Sequence, residues 1–464
     1  MESWLKGLGA TGLDSLTLAD FPLTGRGIQT QRSFKKGDKI FTIPKAALWT
    51  VKQAYADPLI GSILRNAQPP LSIENIFIIY LLFVQSRQTG YQGPRTHVAA
   101  LPQTYSSSIF FTDEELDICA GSSLYNITKQ LDQQIQDDYR EMVMSVFARH
   151  PDLFPLDIFT IDRYKWGLCT IWSRGMDFQQ PGGESFRLLA PFADMLNHSP
   201  DAEQCHAYDF QSGDLTILAG KDYQAGDQVY INYGPVPNNR LLRLYGFVMP
   251  ENPNETYDLV LSTHPMAPFY ELKLKLWDFA GLGSTPTIPL TLTDALPNKV
   301  LQYLRIQRLD ESDLVSILPQ GASAATRMVS RSNESEVLSF LVEAISGILD
   351  SFAIQLKTLE EYFANEKYPV GGNAWAAAHV SLGEQRVLRL TKKRAEDLLA
   401  AVGNGTSDPE PTSSTPTLCA KCGKDSGPLS LCGRCKAVRY CGRECQVAHH
   451  KEHKPVCQAL ASRH

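Results

Sequence analysis

The residues best suited to chemistry fall in a few short stretches. Eight soft donors crowd into residues 419–457: Cys419 and Cys422, Cys432 and Cys435, then Cys441, Cys445, His453 and Cys457. Four neighbouring pairs are what two structural zinc ions require, because each takes four nitrogen or sulfur ligands in a closed tetrahedron. The spacing leaves the pairing open, and His449 and His450 are spare imidazoles able to stand in for His453. Upstream, Leu189-Ala-Pro-Phe-Ala-Asp-Met-Leu-Asn-His-Ser199 sets an Asn-His pair after an apolar run. There the backbone leaves a packed core and presents polar side chains to a cavity. Some thirty residues on, Ala225-Gly-Asp-Gln-Val-Tyr-Ile-Asn-Tyr-Gly234 alternates Val229 and Ile231 against Gln228, Tyr230 and Asn232, a strand that ends at Tyr233. Each stretch alone has a bland reading, a capping turn for the first and packing plus a turn for the second. Near the start, Gly25-Arg26-Gly27 lets the main chain come close to a ligand, since glycine has no side chain to hold it off. A plain hairpin accounts for that pair equally well.

The surrounding elements follow from periodicity and turn signals. Residues 24–44 read as two short strands around a Lys-Gly-Asp turn. Residues 50–175 are mostly helical. The helix at 72–88 is apolar almost all round and therefore buried, 125–147 forms a longer one, and 160–174 puts Tyr164, Leu168, Ile171 and Trp172 on one stripe. A short helix at 238–248 runs into Tyr245-Gly-Phe. Helices are expected at 269–280, 298–309, 334–365 and 383–402, and the Pro-, Ser- and Thr-rich residues 403–417 form a flexible tether with almost nothing to bury.

With 464 residues and 43% apolar content, the chain has material for two or three ordinary cores. The longest apolar run, residues 76–84, is too short to span a bilayer and suits a buried helix. The first residues lack a charged segment followed by an apolar one, so an intracellular protein of cytoplasm or nucleus, with no membrane partner, is expected. Seven of the ten cysteines lie in the last 46 residues, a distribution wrong for a secreted disulfide framework and right for a local metal module. That segment carries nine Lys and Arg against three Asp and Glu, a formal +6 in a chain of net charge −6. Seven thiolates and two zinc ions bring the loaded module to about +3, so its basic residues partly compensate its thiolates. A nucleic-acid patch is the less favoured explanation.

Taken together, Asp-x-x-Asn-His-Ser followed by Gly-Asp-Gln-Val-Tyr-Ile-Asn-Tyr-Gly resembles the C-terminal half of the SET-domain protein methyltransferases. The helical insertion, Trp166, Ser173 and Arg174, and the Tyr245-Gly-Phe helix resemble the branch that includes the plant Rubisco large-subunit methyltransferase. Residues 419–457, with Tyr440-Cys441, Cys445-Gln446 and His453-Lys454, resemble the MYND finger. The resemblance implies an α+β protein. It would comprise a SET β-fold at 20–250 with a helical insertion at about 50–175, an all-helical substrate-binding domain at 255–400, and a zinc-bound MYND module.

It further implies S-adenosylmethionine-dependent methylation of a protein lysine. Tyr233 would stand at the reacting centre and Tyr245 would form a wall of the lysine channel. Gly25, Arg26, Gly27, Arg174, Asn197, His198 and Tyr233 would hold the cofactor, and Asp194 would hold the Asn-His turn or reach the substrate. The Asn-His segment would be threaded against the Tyr233 strand. In MYND fingers the ligands interleave: Cys419, Cys422, Cys441 and Cys445 on one zinc, Cys432, Cys435, His453 and Cys457 on the other. Such fingers bind proline-containing peptides rather than DNA; His450 stands where the family often has Trp. Ala193 stands where the actin-histidine methyltransferases of this branch have Trp, which favours lysine as substrate. The alternative is a catalytically weak SET scaffold acting as an adaptor through its zinc finger.

Overall fold

In the computed structural model, residues 1–404 are described except 23, 88, 181, 184, 204 and 319–321, together with residues 429–433, 439–448 and 450. These form two compact units, one of Met1–Thr256 with Ile348–Arg386, the other of Tyr257–Gly347 with the described residues from Val387 on. No helix among the described residues is long and apolar enough to cross a membrane.

The first unit is built on small sheets. Strands β1 (Leu16–Phe21), β2 (Gly25–Thr30), β6 (Asn197–His198) and β9 (Gln228–Ile231) form one sheet in the order β1-β2-β9-β6. A second holds β3 (Lys39–Ile43), β7 (His206–Tyr208) and β8 (Leu215–Leu218) in the order β3-β8-β7, and β4 (Gly175–Gln179) with β5 (Ser185–Leu189) makes a hairpin. β2 and β3 are therefore not a hairpin, as their sequence spacing suggested. The chain between them crosses to another sheet, held where Phe34 and Tyr223 exchange backbone hydrogen bonds at 3.0 and 2.8 Å. Phe34 is buried there, while the expected Lys-Gly-Asp turn still closes, the Asp38 amide donating to the Lys35 carbonyl at 2.9 Å.

The helical insertion supplies about half of the apolar core of this unit. Helix Ile73–Ser86, capped by the Ser72 hydroxyl on the Asn75 amide, buries residues on every side, as a helix apolar all round must. It packs against Ile161–Arg174, which delivers Arg174 to the site. The long helix Ser123–Met142 continues through a wider turn, Val143–Phe147.

The second unit contains the helices Tyr270–Phe279, Asn298–Gln307 and Glu311–Ile317, and a ribbon of Thr256–Val260 with Thr287–Thr291. Its buried ion pair joins Arg305 Nε to Glu334 at 2.7 Å. The single helix expected at 334–365 is two, Arg331–Asp350 and Leu356–Ala364. The break is fixed by Gln355, whose side-chain amide bonds the Leu349 and Phe352 carbonyls at 3.1 Å each and so satisfies groups the helix end leaves open. A further long helix runs Asn373–Gly403. Most of the expected tether, residues 405–417, lies outside the described residues.

Candidate active site

The centre of the first unit is a chain crossing. β6 runs parallel to β9, with Asn197 beside Tyr230 and His198 beside Ile231. Two residues past β9, the Tyr233 amide donates to His198 Nδ1 at 3.1 Å, and the two rings stack with centroids 5.1 Å apart. Burial depresses the His198 pKa, against a smaller opposing pull from the Ile231 backbone, so the ring stays a neutral acceptor. The Tyr233 hydroxyl donates to the Leu196 carbonyl at 2.9 Å. Burial pushes its pKa well above that of a free phenol, only partly offset by Arg174. Tyr245 stacks on the other side of Tyr233, with centroids 4.6 Å apart.

β2 is drawn to this crossing by the Asn197 amide, which donates to the carbonyls of Thr24 at 3.2 Å and Arg26 at 3.1 Å. Gly27 is required by the closeness of that approach: a Cβ there would lie 2.3 Å from Gln228 Nε2 and 2.8 Å from Asn197 Nδ2. Gln228, expected to face solvent by alternation, is buried instead, its Oε1 accepting from the Thr24 hydroxyl at 2.8 Å. The Arg26 guanidinium hydrogen-bonds the Ala100 carbonyl and reaches Met195 Sδ at 3.5 Å.

A cavity of about 670 Å³ opens beside Tyr233, lined by Arg174, Ala193, Asp194, Tyr245, Met176 and Asp177 among others. Arg174 donates to the Asp194 carbonyl, and its Nη1 lies 3.9 Å from the Asp194 carboxylate. Burial lowers the Arg174 pKa, but Asp194 together with Tyr105 and Tyr233 more than restores it, so the guanidinium is firmly cationic. The other carboxylate contact comes from His97, whose Nε2 is 2.7 Å from Asp194 Oδ2, both side chains fully buried. Asp194 Oδ1 and Arg174 Nε have no partner among the described atoms, leaving one acceptor and one donor at the cavity.

All the expected site residues of this domain thus meet: Arg174, Asp194, Tyr233 and Tyr245 line the cavity, and Gly25, Arg26, Gly27, Asn197 and His198 form the adjoining strand crossing. His97 escaped sequence reading because nothing local marks a histidine whose partner is 97 residues away. Of the expected metal ligands, Cys432, Cys441 and Cys445 are described, while Cys419, Cys422, Cys435, His453 and Cys457 lie outside the described residues, as does His449. Cys441 and Cys445 bring their sulfurs to 3.5 Å.

Family models agree with this architecture. One described as SET domain matches residues 25–234, one described as Rubisco LSMT substrate-binding matches 264–388, and one described as MYND finger matches 419–457. The chain thus carries a SET domain, a Rubisco LSMT substrate-binding region and a MYND finger, and its homologues are Rubisco LSMT-like methyltransferases. Among similar SET proteins is the Rubisco large subunit N-methyltransferase of Nicotiana tabacum, 27% identical over 79% of this chain and 74% of the relative. The [fructose-bisphosphate aldolase]-lysine N-methyltransferase of Arabidopsis thaliana is 25% identical over 83% and 80%. The actin-histidine N-methyltransferase of Canis lupus familiaris is 23% identical over 85% and 68%. The solved structure of Rubisco LSMT bound to AdoMet superposes with a TM-score of 0.76 at 23% identity, covering 87% of this chain and 92% of that one, a likeness of fold.

Proposed function

We propose that this SET protein is an S-adenosylmethionine-dependent protein-lysine N-methyltransferase whose MYND finger recruits partners through proline-containing peptides. The observation that carries the reading is the crossing that stacks half-buried Tyr233 against His198 and Tyr245 in the wall of a cavity, beside a spare donor and a spare acceptor. That donor, Arg174 Nε, fits a carboxylate such as the cofactor's, and the β2 main chain beside Gly25, with open space where its Cβ would stand, fits a close-lying ligand. Gly25, Arg26, Gly27, Arg174, Asn197 and His198 would hold the cofactor. When bound, S-adenosylmethionine supplies a methyl group on a positively charged sulfur.

The chain's own residues do the rest. A lysine amine must be neutral to attack, which from a pKa of about 10.4 costs roughly 4–5 kcal/mol near neutral pH. Stacked Tyr233 and Tyr245 make an aromatic, water-poor wall that disfavours the charged form and offsets part of that cost. Tyr233, with its pKa raised, is protonated and acts as a fixed dipole rather than a base. The Asp194 carboxylate, fully buried and held by His97 and Arg174, would fix the Asn197-His198 segment at the cavity wall. Ala193 is fully buried in the cavity wall and leaves room for a long aliphatic chain.

In the finger, the sulfur separation of Cys441 and Cys445 at 3.5 Å is near the edge of roughly 3.8 Å that a tetrahedron with Zn–S of about 2.3 Å has. This supports their sharing one ion, with Cys419 and Cys422, in a two-zinc finger whose second site is Cys432, Cys435, His453 and Cys457. The test is incubation of the full chain with labelled cofactor and a cell lysate, followed by mass spectrometry of the modified residue. Label on lysine is expected; label on histidine, or none with cofactor bound, overturns the reading.

A further inference from the structure

On the same unit, outside the cavity of Tyr233, a second cavity of about 350 Å³ is walled by aromatic rings. Trp4, Trp49, Tyr80 and Tyr91 line it, with Asp57 among the remaining lining residues. Trp49 is buried and meets Tyr80 at a centroid distance of 5.3 Å and an interplanar angle of 59°, so the two rings make a corner rather than a stack. Trp4, from the first helix, closes another side. Its indole lies so tightly over Gly93 that a Cβ there would come within 2.2 Å of Trp4 Nε1.

The Asp57 carboxylate is buried, at 8% exposure. It accepts from the amides of Leu59 and Ile60 at 2.9 and 3.1 Å and from the Tyr91 hydroxyl at 2.7 Å. It forms no ion pair among the described residues. Three half-buried rings, one buried ring and a carboxylate held only by neutral donors around a small cavity match one chemistry. A compact, weakly hydrated cation gains from the negative faces of aromatic rings and from the carboxylate, with little desolvation to overcome.

We infer that this cavity is a binding site for a methylated ammonium group, the head of a trimethyllysine side chain or of a small quaternary amine. A bare lysine ammonium is more strongly hydrated and loses more on entering, so methylation is what the site selects. The site shares no lining residue with the cavity of Tyr233 and does not depend on the methyl-transfer reading.

The test titrates the full chain, without cofactor, with a trimethyllysine peptide, following tryptophan fluorescence. The same peptide with unmodified lysine, its neutral tert-butyl isostere, and tetramethylammonium are run alongside. Saturable binding is expected for the trimethylated peptide, about tenfold weaker for the lysine and neutral forms. Trp4→Leu, which keeps apolar bulk on an outer helix, and Asp57→Asn should each weaken it by a similar factor, with Trp4→Leu leaving methyl transfer unchanged. Tetramethylammonium binding as tightly as the peptide assigns the site to small quaternary amines, and much weaker binding assigns it to a protein chain. Equal affinity for the neutral isostere, unchanged affinity in folded Trp4→Leu, or no saturation by either trimethylated probe overturns the inference.

Discussion

Replacing Gly27 by alanine tests how β2 is fastened to the site. The new Cβ would stand 2.3 Å from Gln228 Nε2 and 2.8 Å from Asn197 Nδ2, where ordinary contact begins at 3.4 Å. Gln228 can give way, because its Nε2 has no hydrogen-bond partner to lose. Asn197 cannot: its amide carries both bonds to the Thr24 and Arg26 carbonyls. Displacing it forfeits two bonds worth about 1 kcal/mol each, about 2 kcal/mol at most since water can reach the released carbonyls. Because those carbonyls belong to the strand proposed to lie along the cofactor, the loss should appear in affinity as well as in stability. Calorimetric titration of S-adenosylmethionine should show at least about tenfold weaker binding, and the unfolding midpoint in denaturant should fall in parallel. A Gly27→Ala protein with wild-type stability and affinity would refute the argument that Asn197 clamps β2.

Other consequences are as direct. His379 is pressed between Phe363 and Trp375, and burial, helped by Arg386, pushes its pKa down to about 4 from 6.5. Its neutral form is the one the fold accepts, so stability is complete above pH 6.5 and is lost as pH falls toward 4, by at most about 3 kcal/mol. In His379→Phe, unfolding free energies measured across that window should fall less steeply. Ala193→Trp should cut lysine methylation at least about tenfold by filling the cavity, with cofactor binding, read by calorimetry, retained. Metal analysis of the full chain should find two zinc ions, one of them lost with Cys441→Ser and Cys445→Ser together.

The chemistry-bearing stretches were legible because their information is local. The Asn197-His198 turn follows an apolar run, and the alternation of Val229 and Ile231 places Tyr233 at a strand end. Helix Ile73–Ser86 was equally plain from composition. What stayed hidden is nonlocal. β6 has two residues, too few to show any period, and it exists because β9 offers an edge to pair with. Gln228 breaks the alternation because Thr24 and Gly27 make a polar slot for it. The helix break before Leu356 carries no proline or glycine in Ser351-Phe-Ala-Ile-Gln355, so the apolar pattern runs straight through it. His97 and the rings around Asp57 lie far apart in sequence and acquire meaning only when folded together.

Tyr233 is the group proposed to orient the reacting amine, with the cofactor held mainly by other residues. Tyr233→Phe removes the hydroxyl that bonds Leu196 and leaves the stack with Tyr245. Single-turnover transfer of labelled methyl to a protein lysine, measured beside calorimetric cofactor affinity, should show a rate about 10²–10³ lower with affinity within a few-fold of wild type. Unchanged methyl transfer in the folded variant would contradict that role.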